Sequence, residues 1–185
     1  MDPSSLSNPV FYWECLNFLE LTESLPIKLM IEITENQTLV VTPAIKELIR
    51  SLRNRGVLFA LDDFGTGYAN LCYLNELELD VIKIDKTFIN GIHAHEQPLP
   101  MLESIINLAA ILGLQTVAEG VEYDYQRDWL VDNQVDYQQG YFFMPPVALA
   151  EFKGFMKRCE NIERPVRKKK SPGQENQVNP RLTAP

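Results

Sequence analysis

The sequence is short of the residues that would staple or anchor it. It has three cysteines in 185 residues, Cys15, Cys72 and Cys159. They are widely spaced, odd in number and in no Cys-x-x-Cys pattern. This excludes a disulfide framework and a cysteine-based zinc site, and fits the reduced thiols of a cytoplasmic protein. No apolar run is long enough to cross a bilayer; Leu108 to Leu114 is the longest of note. The opening residues Met1-Asp2-Pro3-Ser4-Ser5 lack the basic and apolar regions of a signal peptide. Histidine is scarce as well. His93 and His95 lie together in the polar stretch before Pro98 and read as a loop pair, not as metal ligands. There is no internal repeat.

What is present is ordinary for one soluble globular domain: 45% hydrophobic and 23% charged residues. The charge of −8 is unevenly spread. Residues 164–185 hold six Lys/Arg against one acid, a net +5. The other 163 residues hold 11 Lys/Arg against 24 acids, a net −13. An acidic body argues against nucleic-acid binding, and an anionic substrate there needs cations to mediate the contact. The basic, proline-containing segment 164–185 reads as a disordered tail, and 1–163 as the folded domain.

Within the body, two kinds of segment alternate. Apolar, β-branched runs read as buried strands: 28–33, 57–62, 81–84, 116–119 and, more weakly, 137–142. Amphipathic helices fall between them, over about 10–24, 43–55, 68–77, 98–113, 124–133 and 147–158. Pro43 suits a first helical position and Thr42 a cap before it. Ile105, Ile106, Ala109 and Leu112 form the apolar face of the fourth helix, with Gly113 as its C-cap. Trp13 and Tyr12 on the first helix read as packing or interface residues. Alternating strands and helices of these lengths predict an α/β fold of parallel βα units.

The functional signal is where the polar residues fall. Each predicted strand is apolar and then ends in one or two of them: Glu32, Asp62 with Asp63, Lys83 with Asp85, Glu119, and Gln139. In a parallel α/β barrel, strand C-termini converge on the face that carries the active site. Stability alone does not explain such a row, because buried charge is costly unless paired or metal-bound. Four carboxylates sharing one space repel unless divalent cations neutralise them. Oxygen donors without nearby His or Cys suit Mg²⁺ or Mn²⁺ better than zinc. Two such ions can activate a water and stabilise charge on a phosphodiester. Lys83 adds a point charge for a water or a phosphoryl oxygen. The glycines of Asp62-Asp63-Phe64-Gly65-Thr66-Gly67 permit close approach of a ligand to the backbone.

The segments Glu32-Ile33-Thr34-Glu35, Asp62-Asp63-Phe64-Gly65-Thr66-Gly67-Tyr68, Ile82-Lys83-Ile84-Asp85, Val117-Ala118-Glu119-Gly120-Val121-Glu122 and Gln138-Gln139-Gly140-Tyr141 resemble the successive signatures of the EAL-domain family. The likeness runs from Glu32 to about Phe155. It implies a TIM-type barrel and hydrolysis of cyclic di-GMP to linear pGpG with two Mg²⁺ or Mn²⁺ ions. It implies that Glu32 and Asp62 ligate one metal. Asp62, Asp63 and Glu119 ligate the second, with Asp62 bridging. Lys83 contacts the catalytic water and Gln139 supports the site. Glu35 holds the Asp63–Tyr68 loop that couples a homodimer to metal binding, and Asp85 and Glu122 support the ligand. The family also implies an upstream sensory or membrane segment in a longer parent.

Two departures accompany the likeness. The sequence contains no Glu-Ala-Leu, the motif that names the family and gives a metal ligand. The family's Asn ligand, about thirty residues before Glu32, falls at or before Met1, so the chain is expected to begin in the loop that follows it. Asn8 and Asn17 follow no apolar strand. Five predicted strands against the eight of a closed barrel, and 185 residues against roughly 250, lead to the same expectation: an incomplete barrel of about five βα units. Two missing ligands predict an impaired or inactive phosphodiesterase. The alternative is a non-catalytic module that binds cyclic di-GMP or a protein. An unrelated barrel enzyme of the enolase type is disfavoured by the lack of a second basic residue at the strand ends.

Overall fold

The β-branched runs form strands because each can bury both faces. The computed structural model describes residues 5–6, 8–25, 27–34, 40–65, 71–93, 100–148 and 151. Five parallel strands, β1 (Met30–Thr34), β2 (Leu58–Phe64), β3 (Val81–Ile84), β4 (Gln115–Ala118) and β5 (Tyr137–Gln138), form one sheet in sequence order. Helices connect them: α2 (Pro43–Arg53) after β1, α3 (Leu71–Glu76) after β2, α4 (Lys86–Ile89) and α5 (Pro100–Leu112) after β3, and α6 (Asp124–Asp132) after β4. A helix α1 (Pro9–Thr22) precedes the first strand. This is the α/β, incomplete barrel-type arrangement that the sequence predicts. The chain divides into two compact units, Met1–Pro145 and Pro146–Pro185, and all five strands lie in the first.

Strand alternation gives the sheet two different faces. Ile31, Ile33, Phe59, Leu61, Ile82, Ile84 and Ala118 pack into the main core with the helices. Ala60, Val81 and Val117, joined by Met30, form a separate apolar layer on the opposite face. Two residues further along each of these four strands stand Asp62, Lys83, Glu119 and Glu32. The inner layer is therefore the floor on which the acidic row sits.

Local signals place the helices. Thr42 Oγ1 accepts a bond from the Ile45 amide at 3.3 Å, and Pro43 occupies the first turn of α2. Ile45, Ile49 and Leu52 are its buried stripe. Gly113 ends α5 at φ +71°. The buried face of α5 is Leu102, Ile105 and Ala109, with Ile106 partly buried. Leu112 is exposed, one step off that face. Asn8 caps α1, its Oδ1 accepting from the Val10 amide at 2.9 Å. Tyr12 meets Ser51 of α2 (O···O 3.2 Å), and Trp13 is exposed.

The last strand differs from the expected 137–142. Only Tyr137 and Gln138 pair with β4. A Cβ on Gly140 would lie 2.1 Å from the Val121 oxygen, so the chain passes flush against the loop after β4 and then turns. The four-residue α4 is too short for a periodic signal to reveal. The helix over 147–158, His95 and the tail 164–185 fall mainly or wholly outside the described residues.

Candidate metal centre

Adjacent residues on a regular strand point to opposite faces, which would separate Asp62 from Asp63. The structure resolves this with a register shift between Leu61 and Phe64, opposite β3. Asp63 takes φ +56°, a left-handed conformation that Asp tolerates better than most residues. The irregularity brings both carboxylates to one side. One oxygen each from Asp62, Asp63 and Glu119 lie within 4.8 Å of one another. Phe64 beyond them is buried in the main core. Gly65 follows at φ +90°, where an added Cβ would come 2.9 Å from the Phe88 ring.

Lys83 sits among these acids on the fully buried strand β3. Its Nζ lies 2.8 Å from Glu32 Oε1, 2.8 Å from Asp62 Oδ1 and 2.7 Å from Glu119 Oε1. Burial disfavours the ammonium, but hydrogen bonds to Asp62, Glu119 and Glu32 outweigh it and hold the group charged, above the ordinary lysine value. Two of the acids, Asp63 and Glu119, are also shifted upward, which for a carboxyl disfavours the charged form. Burial, and then the charges of Asp62 and Asp85, push the Asp63 carboxyl up. Burial, with Asp62 and Glu32 behind it, raises Glu119 despite the Lys83 bond. One ammonium against Glu32, Asp62, Asp63 and Glu119 leaves a net charge of −3. That deficit, and a donor set made only of oxygen, fit a hard divalent cation.

The other expected site residues take several places. Asp85 caps α4, accepting from the Thr87 amide at 2.8 Å, and its charge reaches Asp63. Gln139 directly follows β5. Its amide donates to Ala118 O at 2.8 Å and its carbonyl accepts from Val121 at 3.0 Å, tying β5 to the loop after β4. Glu122 is exposed. Glu35, Thr66, Gly67 and Tyr68 lie outside the described residues. One residue at this end escaped the sequence reading: Gln126, which is 1% exposed and holds the main chain of Glu122 and Tyr123. A glutamine two residues into α6 reads as solvated helix surface, so only its burial singles it out.

Parallel βα units in sequence order, with acids gathered at the C-terminal strand ends, define a barrel-type protein with a cation-directed site. Comparison with known proteins makes the assignment specific. The family model "EAL domain" matches residues 1–146, and the chain belongs to the EAL-domain family. It is 42% identical over 142 residues to the "Cyclic di-GMP phosphodiesterase PdeL" of Escherichia coli (strain K12), covering 77% of this chain and 39% of that protein. It is 40% identical over 145 residues to the "Probable cyclic di-GMP phosphodiesterase PdeG" of the same organism, covering 78% of this chain and 29% of that one. The chain thus spans well under half the length of these relatives. The crystal structure of the EAL domain of Mycobacterium smegmatis DcpA superposes with a TM-score of 0.73 at 31% identity, over 85% of this chain and 71% of that one.

Proposed function

We propose that the chain is the site-bearing part of a phosphodiesterase that hydrolyses cyclic di-GMP to pGpG. The observation that carries this is the convergence of Asp62, Asp63 and Glu119 within 4.8 Å, beside Lys83. The names of the relatives and the membership of the family support the substrate. Asp62, Asp63 and Glu119 would hold one Mg²⁺ or Mn²⁺, and Glu32 with Asp62 would hold a second. Bound divalent cations supply Lewis acidity toward water and the phosphodiester.

The chain's own residues do the rest. Lys83, held charged by its three acid partners, presents an ammonium to anionic oxygen at the strand ends. Gly65 and Gly120, both at positive φ, let the site's loops pack close against Phe88 and Lys86. Gln139, Asp85 and Glu122 would support the rim, and Glu35 would have the supporting role that the family implies. We further propose that the work is cytoplasmic, in a homodimer, downstream of a sensory or membrane segment. Among the described residues no helix is long and apolar enough to cross a membrane.

The test is direct. The 185-residue chain is incubated with cyclic di-GMP and Mn²⁺ or Mg²⁺, and pGpG is measured. Product formation that Asp62→Ala abolishes supports the reading. Product unaffected by Asp62→Ala overturns the site. Binding of cyclic di-GMP without any product points to a non-catalytic module.

A further inference from the structure

The loop that carries Glu119 is fastened at four of its amides. Glu119 N donates to Ile84 O of β3 at 3.1 Å, and Val121 N donates to Gln139 O at 3.0 Å. Glu122 N and Tyr123 N both donate to one atom, Gln126 Oε1, at 2.8 and 3.1 Å. Gln126 Nε2 in turn donates to Ile89 O of α4 at 3.1 Å. An ordinary helix cap needs only the bond from Tyr123. The bonds to Glu122 and Ile89 go further. They join the segment after β4 to the segment after β3, and the side chain that makes them is 1% exposed. Gly120, at φ +72°, closes the same seam, since a Cβ there would lie 2.6 Å from Lys86 Cβ.

We propose that Gln126 is a positioning residue for the cation site. It holds the Glu119 loop at a fixed separation from the Lys83–Ile89 segment, and so keeps Glu119 within reach of Asp62 and Asp63. The inference rests on the metal reading above. A carboxylate is a good ligand only when its own support is rigid, and groups behind metal ligands typically tune affinity about 10- to 100-fold.

The test uses the whole 185-residue chain and Mn²⁺ alone, with affinity read by calorimetry and unfolding by circular dichroism. Gln126→Met keeps the volume and removes all three bonds; we expect Mn²⁺ affinity to fall by about tenfold or more. Leu130→Ala, on the same helix and fully buried, is the control: it lowers the unfolding midpoint and leaves Mn²⁺ affinity unchanged. If Gln126→Met behaves like Leu130→Ala, the residue is structural and the inference fails. Should Gln126→Met not fold, Gln126→Glu keeps both accepted bonds and loses only the one to Ile89; unaltered affinity there overturns the inference equally. Absence of Mn²⁺ binding by the unsubstituted chain, or binding indifferent to Asp62→Asn, overturns the metal reading itself and this inference with it.

Discussion

Lys83 reaches three carboxylates at 2.7–2.8 Å, so its charge is the local answer to their repulsion. Lys83→Met removes that answer and leaves acids facing one another. Breaking a fully buried ion pair costs about 3–5 kcal/mol; with Glu32 40% exposed, about 2 kcal/mol is expected here. For a chain of this size that lowers the unfolding midpoint by about 4–8 °C, readable by calorimetry. Mn²⁺ should recover part of the loss, because the cation meets the same charges. Gly65 gives a second prediction at this scale. Alanine at φ +90° is strained by about 1–2 kcal/mol and its Cβ presses on Phe88. Gly65→Ala should lower the midpoint and weaken Mn²⁺ binding, because the displaced loop carries Asp63. Unchanged Mn²⁺ affinity would show that the loop and the carboxylates move independently.

At the scale of elements, the two ends of the sheet use charge differently. At the N-terminal end of β3, Asp80 accepts from Arg53 and from the Phe59 amide, while Glu78 pairs with Arg50 and Arg53. These bonds pin α2 to the strand layer and are far simpler in charge than the acidic row. Hydrogen bonding from Arg50, helped by Arg53, holds the Glu78 carboxyl below the ordinary glutamate value. A depressed folded value means that its stabilisation is present above the ordinary value and is lost as pH falls toward the folded one. Acidification through that window should therefore lower the midpoint more in the native chain than in Glu78→Gln. Equal losses would show that the pair contributes nothing. α2 itself was legible from Thr42 and Pro43 at its start. The short α4 and the two-residue β5 were not, since both are set by neighbouring loops and not by their own periodicity.

For the whole molecule, the sheet is parallel throughout, and such sheets are stable when both faces are covered. One face packs on helices; the other offers the thin layer Met30, Ala60, Val81 and Val117 beneath the acids. A ligand that binds only the folded site then contributes visibly to global stability. At 100 times its dissociation constant, Mn²⁺ should add about 2.7 kcal/mol. That is a midpoint rise of roughly 5–11 °C, abolished in Asp62→Ala. A shift that survives the substitution would place the ion elsewhere.

The sequence by itself determined the order of the strands, the ends at which the acids fall and the family they resemble. Those depend on apolar runs and on motif spacing, which are local. Only the tertiary structure decided that Asp62 and Asp63 share a side, because strand alternation alone separates neighbours and the left-handed turn at Asp63 joins them. Only it placed Lys83 among three acids and Gln126 behind one of them. The first placement depends on pairing between strands whose residues lie more than twenty positions apart, and the second on a bond from α6 to Ile89, 37 positions earlier, and no local pattern encodes those distances.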